Sequence, residues 1–201
     1  MTATKGERTR ARLTAATATL LQKQGYHATG LAEIVATSGA PRGSLYFYFP
    51  GGKEALACAA LEAAGGEWRR RIEALIDHAP DLGSAVVHVC TTLAADLEAS
   101  GYADGCPLAT VALEAAGTSD AVRATVAAHY DGWIGALATR IEARGVPTAG
   151  ARRLAQFALS AIEGSLILAK VARSRQPLLD TGETLRAMIG LMPAASAAPA
   201  S

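Results

Sequence analysis

Thr29 to Leu56 reads TGLAEIVATSGAPRGSLYFYFPGGKEAL, and the reading of the whole chain turns on it. Leu31, Ile34 and Val35 recur at i, i+3 and i+4, which puts one apolar stripe on one side of a short helix. Ser38-Gly39-Ala40 interrupts the pattern, and Gly39 suits the left-handed conformation that closes a helix. Pro41 is expected to open the next helix, since the first helical position has no use for the amide hydrogen that proline lacks. Arg42, Gly43, Ser44, Tyr46, Phe47 and Tyr48 then crowd donors and aromatic rings together. Such a helix, set behind a short helix and a glycine turn, can lay its first residues on base edges in a major groove and its hydroxyls on phosphates. The segment predicts a DNA-binding helix-turn-helix.

Charge points the same way. Residues 1–53 hold Lys5, Arg8, Arg10, Arg12, Lys23, Arg42 and Lys53 against Glu7 and Glu33, a net of +5. The whole chain is +1 at pH 7, so residues 54–201 carry −4. Basic side chains laid against phosphates release counterions and bind in a salt-dependent way. Alone, such a run reads as a solvated tail; beside a helix-turn-helix it reads as part of a nucleic-acid surface.

The same segment carries a resemblance. In Thr29, Ile34, Gly39, Gly43, Ser44, Leu45, Tyr46, Phe49, Pro50, Lys53, Glu54 and Leu56 it resembles the DNA-binding domain of the TetR/AcrR family of one-component repressors. Gly30-Leu31 and the extra glycine in Phe49-Pro50-Gly51-Gly52-Lys53 make it similar to the LmrA/YxaF-like subgroup. Gly105-Cys106-Pro107-Leu108-Ala109 and Glu163-Gly164-Ser165 carry a weaker likeness further on. The resemblance implies an all-α fold of about nine helices: a helix-turn-helix DNA-binding domain over residues 1–51 and a ligand-binding and dimerisation bundle over 52–192, while the Ala-Pro-Ser composition from Pro193 onward reads as a flexible tail over 193–201. Departures are local. Val35 stands where alanine is usual, Pro41 where serine often caps the helix, and Phe47 and Tyr48 where arginine and histidine are frequent, so the contact surface is this chain's own.

Composition agrees with helices. Half of the 201 residues are hydrophobic, alanine is abundant and aromatic side chains make up only 5%, which disfavours sheet. The N-terminus is charged and polar and lacks the apolar core of a signal peptide. Leu154–Ala172 raises the question of a membrane span, but Gln156, Glu163 and Lys170 within it favour a buried helix. A soluble, cytoplasmic protein with no membrane partner is expected.

Along the chain, Lys5–Gln24 reads as a first helix with Leu13, Leu20 and Leu21 inward and Gly25 ending it. A helix over residues 52–78 carries Gly65-Gly66, and a glycine costs about 1 kcal/mol against alanine, so a bend is expected there. Residues 81–100 turn Val86, Val89, Cys90, Leu93 and Leu97 to one face. Pro107 opens a short helix to Ala116, Ser119 caps a long one to Arg144, and Pro147 and Pro177 begin the regions of the last two.

On DNA, Arg42 is the candidate for a bidentate contact to guanine, and Gly43 allows close approach. Ser44, Tyr46 and Tyr48 can hold phosphates or a base edge beside Phe47, and Thr29 with Lys53 would clamp the backbone. In the second lobe, helices apolar on more than a narrow face suit a bundle around a small-molecule pocket. His88, Leu113, His129, Tyr130, Trp133 and Phe157 are its candidate wall residues. Each is singly more often core or surface; the family, whose members bind small molecules there and release DNA, gives them weight as a group. Few charged residues are on offer for the interior, so a neutral, fairly apolar or aromatic effector is expected.

Ala158, Ala161, Ile162, Ser165, Leu166 and Ala169 recur at helical spacing, and small residues among them let helices approach closely. Leu178, Leu179, Leu185, Met188, Ile189 and Met192 give the last helix a similar face. A pair of such helices from each of two subunits would form a two-fold four-helix interface. The expected function is a ligand-responsive transcriptional regulator, by resemblance a repressor, that grips a palindromic double-stranded operator as a homodimer and is released by its effector. No cofactor, metal or enzymatic activity is expected.

Two other functions compete. Cys106 stands just before the Pro107 helix, and helix N-termini lower a thiol's pKa, which would suit a redox-sensing regulator. Yet Cys58, Cys90 and Cys106 form no Cys-x-x-Cys pair, and buried cysteines usually pack as small hydrophobes. A helical-bundle enzyme would need converging catalytic groups. His27, His78, His88 and His129 stand far apart, with no Glu-x-x-His pair, nucleophile elbow, phosphate loop or zinc spacing.

Overall fold

The computed structural model describes residues 4–191, which hold helices and no strand. In order these are α1 (Lys5–Ala28), α2 (Leu31–Ser38), α3 (Ser44–Tyr48), α4 (Gly52–Asp77), α5 (Leu82–Ala99), α6 (Pro107–Ala115), α7 (Asp120–Glu142), α8 (Thr148–Ala172) and α9 (Gln176–Gly190). Met192 and the tail expected over 193–201 lie outside the described residues.

Several helix starts have a local cause. Glu7 N donates to Thr4 Oγ1 at 3.2 Å and Thr4 N donates to Glu7 Oε2 at 2.6 Å, a capping box that pairs two otherwise orphaned N–H groups. Those bonds hold the Glu7 carboxyl below the ordinary range. Asp81 caps α5, its Oδ1 accepting from Ser84 N at 2.8 Å. Ser119 caps α7, its Oγ accepting from Val122 N at 3.1 Å.

Two compact units form. The first takes the chain as far as Trp68 together with Asp104–His129; the second takes Arg69–Ala103 and the chain from Tyr130 onward. In the first, Leu13 and Leu20 of α1, Ile34 of α2, Ala40, Leu45 of α3, Phe49 and Leu56 of α4 make one buried cluster. Leu31, Val35, Tyr48 and Ala59 pack against it. Burying one such leucine contributes roughly 1.5–3 kcal/mol, so this cluster rather than helix propensity holds the short α2 and α3.

The end of α1 is the most constrained point of this unit. Gly25 has φ 77° and ψ −174° inside α1, a conformation open essentially to glycine alone. A Cβ there would also lie 1.9 Å from Glu114 Oε1 of α6. That carboxylate accepts from His27 N at 2.8 Å, and Gln22 Nε2 donates to Gly105 O at 3.0 Å. The predicted end of the first helix at Gly25 is therefore a kink, followed by one more turn that α6 clasps.

In the second unit α9 packs against α5 and α8. Gly182 of α9 sits where a Cβ would be 3.0 Å from Cys90 Cβ. Val89, Cys90, Leu93 and Leu97 are buried as their spacing predicts, and Val86 is half-buried. A second cluster joins Ala138 and Ile141 of α7 to Ala151 and Ala155 of α8.

The glycines expected to weaken α4 do not interrupt it: helical backbone continues through Gly65-Gly66. Gly65 is needed for a different reason. A Cβ there would stand 2.6 Å from Nδ1 of His129, whose ring packs on the helix and whose Nε2 lies 3.2 Å from Glu62 Oε2.

Candidate nucleic-acid interface

The helix-turn-helix is built from α2, the Gly39 turn and α3. Gly39 closes α2 at φ 60°, ψ 20°, the left-handed value its place in the sequence predicted. The next helix starts later than expected. Pro41 does not open it; Pro41-Arg42-Gly43 forms a tight turn in which Ser44 N donates to Pro41 O at 2.9 Å, and α3 begins at Ser44. The physical reason is local. Ser44 Oγ also donates to Pro41 O, at 2.6 Å, so one carbonyl gathers two donors and is fixed in the turn.

A five-residue helix has no stability of its own in water. Its anchors are Leu45 and Phe49, 2% and 3% exposed. At 100° per residue, Gly43 and Phe47 fall on the opposite side, facing out. Phe47 is 78% exposed and Tyr46 62%. Tyr48 is half-buried; its ring meets that of Phe47 edge-on, with centroids 4.9 Å apart. Arg42 is exposed on the turn. Gly43 has no atom within 4 Å of where a Cβ would stand, so nothing within the described residues requires a glycine there.

Basic side chains frame this surface. Arg10 of α1 lies over the Phe49 ring, 5.3 Å from its centroid, and Lys53 Nζ lies 4.5 Å from the Tyr26 centroid. Lys53 Nζ also donates to His27 O at 3.4 Å. Thr29 behaves otherwise than expected. It is fully buried, and its hydroxyl donates to Gly25 O at 2.6 Å. It fastens the end of α1 and offers nothing to a phosphate.

The residues expected to wall a pocket do not share one environment. His88 is exposed, Leu113 is 80% exposed and Phe157 51%, so none of the three is enclosed. His129 pairs with Glu62. Tyr130 and Trp133, half-buried one turn apart on α7, meet edge-on with centroids 5.6 Å apart.

Part of the expected dimer face is taken up inside the chain. Ala158, Ser165, Leu166 and Ala169 of α8 and Leu185 of α9 are buried within the chain itself. Ser165 Oγ lies 2.5 Å from Thr181 Oγ1 of α9. Ala161, Ile162, Met188 and Ile189 are half-buried. The open side of α8 carries Phe157, Leu168 and Val171, 51%, 61% and 80% exposed. Ala161 and Gly164 lie between them at helical spacing. Sequence reasoning did not single out Leu168 and Val171 as exposed, because α8 is apolar on more than one side. By length and composition it is the one helix among the described residues able to cross a membrane, and 28% of its apolar window is buried.

The three cysteines are free. Cys106 is the residue preceding α6 and is 4% exposed, and Cys58 is half-buried. Cys90 is fully buried, which pushes its thiol up to about 11. Among the described residues, no three His, Cys, Asp or Glu side chains converge as a metal site needs.

Comparison with known proteins adds to this geometry. Residues 13–60 match the family description of bacterial regulatory proteins of the tetR family, and residues 83–184 match the C-terminal domain of LmrA/YxaF-like transcriptional regulators. The chain is 36% identical to the uncharacterized HTH-type transcriptional regulator Rv0196 of Mycobacterium tuberculosis, covering 84% of this chain and 88% of that one. It is 32% identical to the uncharacterized HTH-type transcriptional regulator YxaF of Bacillus subtilis, covering 85% and 89%. A crystal structure of a TetR transcriptional regulator from Chloroflexus aurantiacus superposes with a TM-score of 0.81 at 27% identity, over 96% of this chain and 99% of that one.

Proposed function

Because the chain belongs to the tetR family of bacterial regulatory proteins and is a DNA-binding transcriptional regulator, we propose that it is a cytoplasmic repressor that holds a palindromic operator as a homodimer and is released by a small molecule. Residues 1–51 serve as the reading head and 52–192 as the effector and dimer lobe. The observation that carries this is the outward face of the head. Arg42 on the turn and Tyr46 and Phe47 on α3 are exposed beside a bare Gly43, while Leu45 and the capping Phe49 are locked in the core. Arg42, on a flexible stem at the mouth of the turn, takes the guanine contact. Tyr46 and Lys53 hold phosphates, Ser44 and Tyr48 shape the helix, and Thr29 supports it from within.

The second subunit covers the open side of α8. A helix whose apolar window is only 28% buried needs a partner, since contiguous exposed apolar surface marks an interaction site. Phe157, Leu168 and Val171, with Ala161 and Gly164 between them, supply that stripe. For the effector, the half-buried Tyr130–Trp133 pair supports a neutral, apolar or aromatic ligand. The ligand shifts DNA affinity only as far as it prefers the conformation that does not bind DNA.

The test is selection of duplexes from a random pool by the full-length protein, followed by titration of the enriched duplex with salt. A palindromic sequence whose affinity falls steeply with salt is expected. Enrichment of no sequence would sink the reading, and enrichment of a single half-site would sink its dimeric part.

A further inference from the structure

We propose that Phe47 recognises a thymine C5-methyl group in the major groove, so fixing one T·A pair in each operator half-site. This rests on the DNA-binding reading above and adds which group on the DNA the exposed ring takes.

The ring's chemistry narrows its partner. Phe47 is 78% exposed on the side of α3 opposite the anchoring Leu45 and Phe49. A phenyl group neither donates nor accepts, so it cannot make the paired hydrogen bonds that read guanine or adenine. The apolar group that base edges present in the major groove is the thymine methyl.

Its position lets it reach that depth. Gly43 lies one turn earlier on the same side. Its φ is −71°, a value any residue adopts, and no atom lies within 4 Å of where a Cβ would stand. Neither backbone strain nor internal packing accounts for a glycine there. Close approach of a surface from outside does, and that approach carries the ring four residues later down to the base edges.

The ring is also braced. It meets Tyr48 edge-on, with centroids 4.9 Å apart and planes at 90°. The Tyr48 hydroxyl in turn lies against Gly6 of α1, 3.0 Å from where a Cβ would be. A ring held from behind loses little freedom on binding, and that raises the affinity gained per contact.

The experiment uses the full chain and the duplex it enriches most from a random pool. Each thymine of one half-site is replaced in turn by deoxyuridine, which deletes one methyl and keeps the base pairing. One position is expected to lose about fourfold in affinity, the worth of one buried methyl-sized group. Phe47→Ala, a change on the open surface that keeps the thermal transition, is expected to bind the thymine and uracil duplexes equally. If no thymine responds to loss of its methyl, the proposal is overturned without any variant being made. If Phe47→Ala weakens both duplexes by one common factor and leaves the thymine preference intact, the ring packs on sugar or phosphate and the proposal is overturned as well. Neither result touches the regulator reading, which fails separately if the full chain enriches no sequence.

Discussion

Helices α3 and α8 both turn apolar side chains to solvent, for opposite reasons. α3 spans five residues and has two inward anchors, Leu45 and Phe49. What remains on its outer side, Tyr46 and Phe47, has nowhere else to point. α8 spans 25 residues with apolar side chains on two sides. Its inner side is Ala155, Ala158, Ser165, Leu166 and Ala169; its outer side is Phe157, Leu168 and Val171. On a short helix beside a basic surface, the sequence pattern names the exposed residues directly. On a helix apolar on two sides, the pattern shows that both are fit for packing but not which one the chain keeps for itself.

The largest effect is expected on α8. Changing Leu168→Glu together with Val171→Glu leaves the isolated chain untouched but would bury carboxylates in the proposed interface. The dimer dissociation constant is expected to rise at least about a thousandfold, measured by sedimentation, with the helical signal unchanged. A dimer of undiminished strength would return the interface to some other face.

The head is sharpened by Gly25→Ala. Its backbone angles and its collision with Glu114 together are expected to cost about 3 kcal/mol, lowering Tm by about 6–12 °C. Adding Glu114→Ala relieves the collision but not the angles. Partial recovery in the double variant is the expected result, and none at all would place the whole cost in the backbone.

Arg42→Ala comes next, at about 2 kcal/mol of operator binding confined to one base position. Dimer mass is expected to stay the same. A uniform loss across all sequences would make Arg42 a phosphate contact.

The smallest effect tests the inner packing of α5 against α9. Up to pH 8 the Cys90 thiol stays protonated whether the chain is folded or not. Above the ordinary thiol value of 9.0 the unfolded chain releases the proton, while the folded one keeps it to about 11. Stability therefore falls as pH rises through that window, by about 1 kcal/mol between pH 8 and pH 10. Denaturant midpoints of the native chain and Cys90→Ala, compared at both pH values, are expected to differ by that slope. Parallel midpoints would mean that Cys90 is reached by water.

Most of the head was legible because its signals are local. Gly39, the i, i+3, i+4 stripe and the Thr29–Leu56 spacing lie within a few turns of one another. The start of α3 was misplaced because Pro41 suits a helix start and a turn equally, and Ser44 decides between them by bonding twice to Pro41 O. The Gly25–Glu114 clasp left no sequence signal, since its two partners sit in different parts of the chain and each is unremarkable alone. That His88, Leu113 and Phe157 are exposed, and which side of α8 packs inside the chain, left no mark in the pattern either: residue type gives affinity for a core, and only the fold says whose.

The bond from His27 N to the Glu114 carboxylate sets a local clock. Amides at the last turn of a helix ordinarily trade hydrogen with water quickly, because helix ends open first. His27 N–H, just past the kink at Gly25, is held by the carboxylate of α6. Its exchange is therefore governed by how often α6 lets go rather than by how often α1 frays. One slow amide, followed with and without DNA, is expected to report the comings and goings of α6.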